Sequence, residues 1–194
     1  MTGTGRTRWE GERVTVDALG PEDEDAFLAA VAASRDLHRP WVDPAGTPER
    51  FRALMERARG AEFHPFVIRD RADGALVGGV NVSNAIFGPL CSAFCGYWAF
   101  ARGAGRGLMT EGLRGVVAHA LGPLGLHRLE ANIQPGNRRS IALAERCGFR
   151  REGFSPNYLR VDGAWRDHLR YAITTEDLAG RGPAAREAAP DDGG

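Results

Sequence analysis

From Glu12 to Leu19 the chain reads "ERVTVDAL", an alternation of apolar and polar positions that predicts a strand. Gly20-Pro21 then opens an acidic first turn into "EDEDAFLAAVAAS", where Phe27, Ala30 and Val31 fall on one face of a helix. Thr47-Pro48-Glu49 repeats the start signal, an N-cap followed by proline at the first helical position, for "ERFRALMERARG" ending at Gly60. "FHPFVIRD" and "ALVGGVNVS" flank the turn-rich "RADG" and read as an antiparallel hairpin. "AFCGYWAF" is the next strand, and it runs straight into the glycine-rich "RGAGRGLM" of residues 102–109. Beyond it Met109, Leu113, Val116, Val117 and Ala120 recur at helical spacing, which predicts an amphipathic helix from Leu108 to Leu121. "HRLEANIQ" is a further strand, "NRRSIALAERC" a short helix stopped at Gly148, and "NYLRV" and "AWRDHLRYAI" a closing hairpin turned at Asp162-Gly163. The pattern is that of one α/β (α+β) domain over residues 10–178, followed by a tail over 179–194 whose composition predicts disorder.

Charge narrows the functional classes. The chain has 25 basic and 25 acidic residues, and this balance argues against direct binding to nucleic acid or a membrane surface. No stretch has the roughly 18 apolar residues of a membrane span, and the first residues lack the apolar core of a signal peptide, so a cytoplasmic location is expected. The three cysteines, Cys91, Cys95 and Cys147, form no C-x-x-C pair and suggest neither a disulfide framework nor a metal site.

The glycine-rich stretch carries the candidate chemistry. A glycine turn that opens a helix leaves backbone N–H groups unpaired, with the positive end of the helix dipole behind them, and so makes an anion cradle. Gly107 is followed by Leu108 and Met109 rather than Lys-Ser/Thr, which excludes a nucleoside triphosphate P-loop. Gly103, Gly105 and Gly107 are spaced by two, unlike the dinucleotide fingerprint.

Placed as strand, glycine turn, helix, the pattern Arg102-x-x-Gly105-x-Gly107 resembles the coenzyme A pyrophosphate loop of the GNAT superfamily of N-acetyltransferases. The resemblance runs from about Arg13 to Asp177 and sharpens toward the RimJ/RimL group of ribosomal-protein N-terminal acetyltransferases, RimJ in particular. It is carried by "RPW" at 39–41, "GGVNVSN" at 78–84, "GYW" at 96–98, "GRGLM" at 105–109, "HRLEANI" from His127, "NRRS" at 137–140 and "YLRVDGAWRDH" from Tyr158. It implies a GNAT fold: a twisted, mostly antiparallel sheet splayed at the acetyl-CoA site, with helices on both faces. Gly96 is expected at a bulge just before the loop.

The resemblance also implies roles. Acetyl-CoA would lie against Trp98, Ala99 and Phe100 and the loop Arg102, Gly103, Ala104, Gly105, Arg106, Gly107, Leu108 and Met109. The N–H groups from Gly103 to Leu108 are expected on the pyrophosphate, and Arg102, Arg106 or Arg139 on the ribose phosphate. The Trp98 N–H is expected to serve the oxyanion. In "NRRS", Asn137 would hold the pantetheine arm while Ser140 protonates the leaving thiolate; on their own terms the two residues read equally as a helix cap and a first-turn serine. Tyr158 is the alternative acid. RimL-like relatives carry a glutamate where this chain has Phe94, so a strong base is missing there. A free α-amine, with a pKa of about 7.7 to 8.0, is roughly one-quarter neutral near pH 7.3, whereas a lysine amine at about 10.4 is neutral in only about one molecule in a thousand. An α-amine therefore needs little help. Asn81, Ser83 and Asn84 are candidates to order a water that takes the proton, Asn81 and Asn84 reading equally as turn or strand-end residues, and Glu130 is a more distant acceptor. Trp41, Phe94, Tyr158 and Trp165 are candidate walls of the acceptor slot.

The leading expectation is transfer of acetyl from acetyl-CoA to the N-terminal α-amine of a ribosomal or other protein. A small-molecule amine as acceptor and a non-catalytic acyl-CoA-binding module are the alternatives. Monomer and homodimer both remain open.

Overall fold

The computed structural model describes residues 6–180. Eight strands form one sheet: β1 Thr7–Glu10, β2 Val14–Ala18, β3 Phe63–Asp70, β4 Leu76–Ile86, β5 Ser92–Ala99, β6 Arg128–Ile133, β7 Arg150–Val161 and β8 Ala164–Thr174. Their spatial order is β1-β2-β3-β4-β5-β6-β8-β7, and every neighbouring pair is antiparallel except β5 and β6. The helices are α1 Glu24–Ala33, α2 Arg35–His38, α3 Pro48–Arg57, α4 Leu108–Leu121, α5 Arg138–Cys147 and α6 Thr175–Ala179.

Local signals explain the main elements. The Thr47 hydroxyl accepts from the Arg50 amide at 3.3 Å and starts α3, and Gly148, at φ 101°, ends α5 in the left-handed conformation that a glycine adopts freely. Strand β1 and helix α2 are additions to the sequence reading, each only four residues long. Helix α6 adds a further turn, capped where Asp177 accepts from the Thr174 amide at 2.8 Å. The expected tail, apart from Ala179 and Gly180, lies outside the described residues.

The sheet separates two cores. On one face, α4 and α5 pack through Leu113, Val116, Val117 and Ala144 onto Val80, Val82, Cys95, Leu129 and Ala131. On the other, α1 and α3 pack through Phe27, Val31 and Phe51 onto Trp98 and Phe100. Two glycines of β4 fix which face is which. A Cβ on Gly78 would meet the Met109 sulfur of α4 at 2.2 Å, and one on Gly79 would meet the Trp98 ring at 2.4 Å. Alternation along the strands then puts Asn81, Ser83, Phe94 and Trp98 on the α1–α3 face and Tyr97 on the α4–α5 face.

Candidate active site

The site begins where the sheet comes apart. Strands β5 and β6 pair in parallel only at Ser92 with Arg128, Ala93 with Leu129 and Phe94 with Glu130. Past that point both continue, β5 to Ala99 and β6 to Ile133, without pairing to each other. The result is a fork whose inner edges carry backbone groups with no ladder partner.

Which amides line that fork follows from parity. The Phe100 N–H donates to the Val77 carbonyl at 2.8 Å, and the Arg128 N–H donates to the Cys91 carbonyl at 3.1 Å. Even-numbered residues of β5 thus face β4 and odd-numbered ones face β6. The amide of Trp98, opposite Gly79, belongs to the β4 ladder, and the amides that open into the fork are those of Tyr97 and Ala99. The expectation that Trp98 supplies the oxyanion donor is corrected accordingly, because only alternate amides point across a given edge. Gly96 is also no bulge: it pairs in register with Asn81. The irregularity lies in β4 between Ser83 and Ile86, where Asn84 takes φ 53°.

The fork opens toward the glycine turn. After Ala99 the chain makes a 3-10 turn over Ala101–Gly103 and enters α4 through Gly105 and Gly107, both with positive φ, at 75° and 78°. Among the described residues, the amides of Gly105, Arg106, Gly107, Leu108 and Met109 have no hydrogen-bond acceptor. Those of Gly103 and Ala104 do, donating to the Phe100 and Ala101 carbonyls. The unpaired amides among the described residues therefore run from Gly105 to Met109, not from Gly103 to Leu108 as the cradle was expected to. Gly103 has a packing role instead, since a Cβ there would sit 2.6 Å from the Val77 carbonyl oxygen.

The loop arginines are held from below. Arg102 is paired with Asp73, and Arg106 with Asp70 at 3.0 Å. The Asp70 carboxyl lies below its ordinary pKa, held there first by the Ala72 amide and, against burial, by Arg106 and Arg102. Arg139, at the start of α5, is exposed and has no partner among the described residues. Its neighbour Arg138 is likewise exposed and without a side-chain partner among the described residues.

On the α4–α5 face, two hydroxyls meet. The Ser140 hydroxyl donates to the Tyr97 oxygen at 3.0 Å, and the Tyr97 hydroxyl donates to the Ser140 carbonyl at 2.9 Å. Burial pushes the Tyr97 phenol well above its ordinary pKa, against the opposing bond from Ser140, so it stays a neutral donor. Asn137 caps α5, its side-chain oxygen accepting from the Ser140 amide at 3.2 Å. The sequence assigns Tyr97 no role; its link to Ser140 spans 43 residues, a separation with no local sequence signal. Tyr158 lies on the β7–β8 arm, its ring edge-on to His168 at 5.9 Å.

The α1–α3 face is the polar side of the fork. Asn81 and Ser83 lie along β4, Phe94 stands beside Glu130 at the fork's base, and Arg128 donates to Glu130 at 2.9 Å while also pairing with Glu152. Asn84 sits in the bulge and is exposed. Trp41 packs over the turn after β6, where a Cβ on Gly136 would come 3.0 Å from its ring. Trp165, 62% exposed, is at the tip of the β7–β8 arm beside Arg160. The structure thus gathers Trp98–Met109 with Asn137–Ser140 around the fork, sets Glu130 at its base and leaves Trp165 at the arm's tip.

Residues 13–150 match the acetyltransferase (GNAT) domain family. The chain belongs to the GNAT acetyltransferase family. It is 33% identical over 179 residues to the [ribosomal protein uS5]-alanine N-acetyltransferase of Escherichia coli (strain K12), covering 85% of this chain and 92% of that protein. Among solved structures, Mycobacterium smegmatis RimJ in complex with CoA-disulfide is 35% identical with a TM-score of 0.75, over 85% of this chain and 83% of that one. The ribosomal-protein-S5-alanine acetyltransferase of Vibrio fischeri gives 25% identity and a TM-score of 0.76, over 87% and 97%. This GNAT enzyme is an acetyl-CoA-dependent N-acetyltransferase of the RimJ/RimL type. Five unpaired amides beside a fork of unpaired strand edges fit the diphosphate and the amide-bearing arm of that cosubstrate.

Proposed function

We propose that the enzyme acetylates the N-terminal α-amine of a protein, ribosomal or other, in the cytoplasm. The observation that carries this reading is the fork's base: among the described residues Phe94 stands there opposite Glu130, and Glu130 is held by Arg128. Such a site suits an acceptor that is partly neutral at physiological pH, and an α-amine meets that condition whereas a lysine side chain does not. The E. coli relative, whose name gives uS5-alanine as its substrate, supports the same acceptor class.

In this reading the acetyl donor is held by the Gly105–Met109 amides, by Arg139 and by the inner edge of β5. The amine enters from the α1–α3 face, past Asn81 and Ser83, and attacks the thioester carbonyl carbon. A C–N bond forms and the C–S bond breaks. The Tyr97 N–H faces the charge that builds on the carbonyl oxygen. Ser140 gives its proton to the departing thiolate and regains one from the solvent that receives the amine's proton, while the Tyr97 hydroxyl rotates from the Ser140 carbonyl to the Ser140 hydroxyl oxygen and supports it. The amine's own proton leaves to water on the Asn81–Ser83 side, with Glu130 as the nearest carboxylate at the fork's base.

The direct test offers acetyl-CoA with a panel of N-terminal peptides, N-terminally blocked lysine peptides and small amines, and maps the acetyl group by mass spectrometry. Acetylation at the α-amine of peptides with a small first residue is the expected product. Turnover confined to small amines would replace the protein acceptor with a small-molecule one.

A further inference from the structure

The fork has a crosspiece. Helix α2 ends at His38, which is 4% exposed, and its Nε2 lies 2.8 Å from the carbonyl oxygen of Ala99, the last residue of β5. By the parity of β5 this carbonyl opens toward the fork, so His38 holds the inner edge of one prong. Its ring also stands 6.2 Å from that of Phe100. Burial lowers the His38 pKa, the Ala99 bond and the charge of Asp43 opposing that in part, and the neutral ring carries its proton on Nε2 to donate to the carbonyl.

From His38 the chain turns at once toward the other prong. The Trp41 and Val42 amides donate to the His38 carbonyl at 2.8 and 3.0 Å, which fixes the turn. The Trp41 carbonyl accepts from the Gln134 side chain at 3.4 Å, and its ring packs on Gly136. Gln134 directly follows β6, and its carbonyl accepts from the Asn137 amide at 2.9 Å. That turn leads into Asn137, the cap of the helix that carries Ser140.

We propose that residues His38–Trp41 form a strap across the fork, with His38 a positioning residue that, together with Trp41, sets the distance between β5 and the turn carrying Asn137 and Ser140. The strap spans the gap in which the pantetheine arm lies, so the arm is retained beneath it and the thioester is aligned between the Tyr97 amide and Ser140. The proposal rests on acetyl-CoA occupying the fork and is independent of the acceptor.

The test measures coenzyme A dissociation by stopped flow, together with kcat and melting temperature, for His38→Leu, His38→Gln, Trp41→Ala and the His38→Leu/Trp41→Ala double variant. Leucine fills the buried site without a donor, and glutamine restores an N–H. His38→Leu and Trp41→Ala are each expected to speed dissociation about tenfold, the scale set by a lost buried hydrogen bond or anchor. His38→Gln is expected to recover most of that loss. Because either substitution releases the same strap, the double variant should dissociate no faster than about the faster single one. Rates in the double variant that multiply to about a hundredfold, or an unchanged rate in folded His38→Leu or Trp41→Ala, would overturn the strap. If His38→Leu does not fold, Trp41→Ala and His38→Gln still decide: no acceleration in Trp41→Ala overturns the proposal. Failure of the unsubstituted enzyme to bind coenzyme A would instead remove the cofactor placement on which it stands.

Discussion

Replacing Ser140 by alanine separates its two readings. As a first-turn residue of α5 its hydroxyl contributes only the hydrogen bond to Tyr97, about 0.5 to 1.5 kcal/mol of stability, because the cap uses the Ser140 backbone amide, which alanine retains. As the proton donor it acts only when the C–S bond breaks, and general acids of this kind contribute about 10²- to 10⁴-fold. At about 1.4 kcal/mol per factor of ten, that is about 2.8 to 5.6 kcal/mol of transition-state stabilisation. The Tyr97 hydroxyl acts through Ser140, so Tyr97→Phe removes one supporting hydrogen bond, about 0.5 to 1.5 kcal/mol, or roughly 2- to 10-fold in kcat. Added to Ser140→Ala, the same tyrosine change should cost almost nothing more, since the group it supports is gone. The assay is steady-state turnover with acetyl-CoA and an alanine-starting peptide, with coenzyme A affinity measured by calorimetry on the same variants. Expected is a large fall in kcat with affinity nearly unchanged. Ser140→Ala within about twofold of the unsubstituted kcat would refute the assignment, and Tyr158→Phe would then be the variant to examine.

The cradle and the scaffold give further expectations. Gly105→Val places a side chain at φ 75° where no protein atom lies within 4 Å, so its clash is with the bound phosphates; affinity should fall at least tenfold by calorimetry, about 1.4 kcal/mol, beyond a stability cost of about 1 to 2 kcal/mol from the left-handed backbone, and unchanged affinity in a folded variant would move the cradle. Arg139→Ala should weaken coenzyme A more than it weakens a coenzyme A analogue lacking the ribose phosphate; equal losses for both would give that phosphate another partner. Glu111 ties α4 to the turn before β2: burial pushes its pKa up, but the Arg13 amide and guanidinium outweigh this and leave it below the ordinary 4.5. A depressed pKa means that the stabilisation is present above about pH 4.5 and is lost as pH falls through the lower, folded-state value. Glu111→Gln should therefore reduce the melting temperature at pH 7 and converge with the unsubstituted protein in stronger acid, and an equal deficit at both pH values would contradict the ionic origin.

Much of this architecture is legible in the chain because its signals are local. Leu108–Leu121 shows its apolar stripe, Thr47-Pro48 its cap, and Asp162-Gly163 its hairpin turn, each within a few residues. The elements that escape are too short for any period to register: Thr7–Glu10 is anchored by Trp9, whose ring occupies the space a Cβ on Gly115 would need, a contact more than a hundred residues distant. The fork follows the same division. Gly105 and Gly107 announce the cradle, yet which amides remain unpaired depends on the turn at Ala101–Gly103 that takes up the amides of Gly103 and Ala104. Likewise, whether Trp98 or Tyr97 faces the fork is a matter of sheet parity, fixed by the bond from Phe100 to Val77 and invisible in residue type. The Ser140–Tyr97 contact and the His38–Ala99 bond join segments 43 and 61 residues apart, and only the folded sheet brings them together.

The central claim is that the enzyme relies on the acceptor's own neutral fraction and so acts on α-amines. The most direct measurement is kcat/KM against pH for two peptides of matched sequence, one offering a free N-terminal alanine and one N-terminally blocked with a free lysine side chain. With Phe94 at the fork's base and Glu130 held by Arg128, kcat/KM for the alanine peptide should rise with an apparent pKa of about 8, and at neutral pH it should exceed that of the lysine peptide by a large factor. Equal rates on the two peptides, or a preference for lysine, would contradict the account and would make Glu130 the first residue to test as a base.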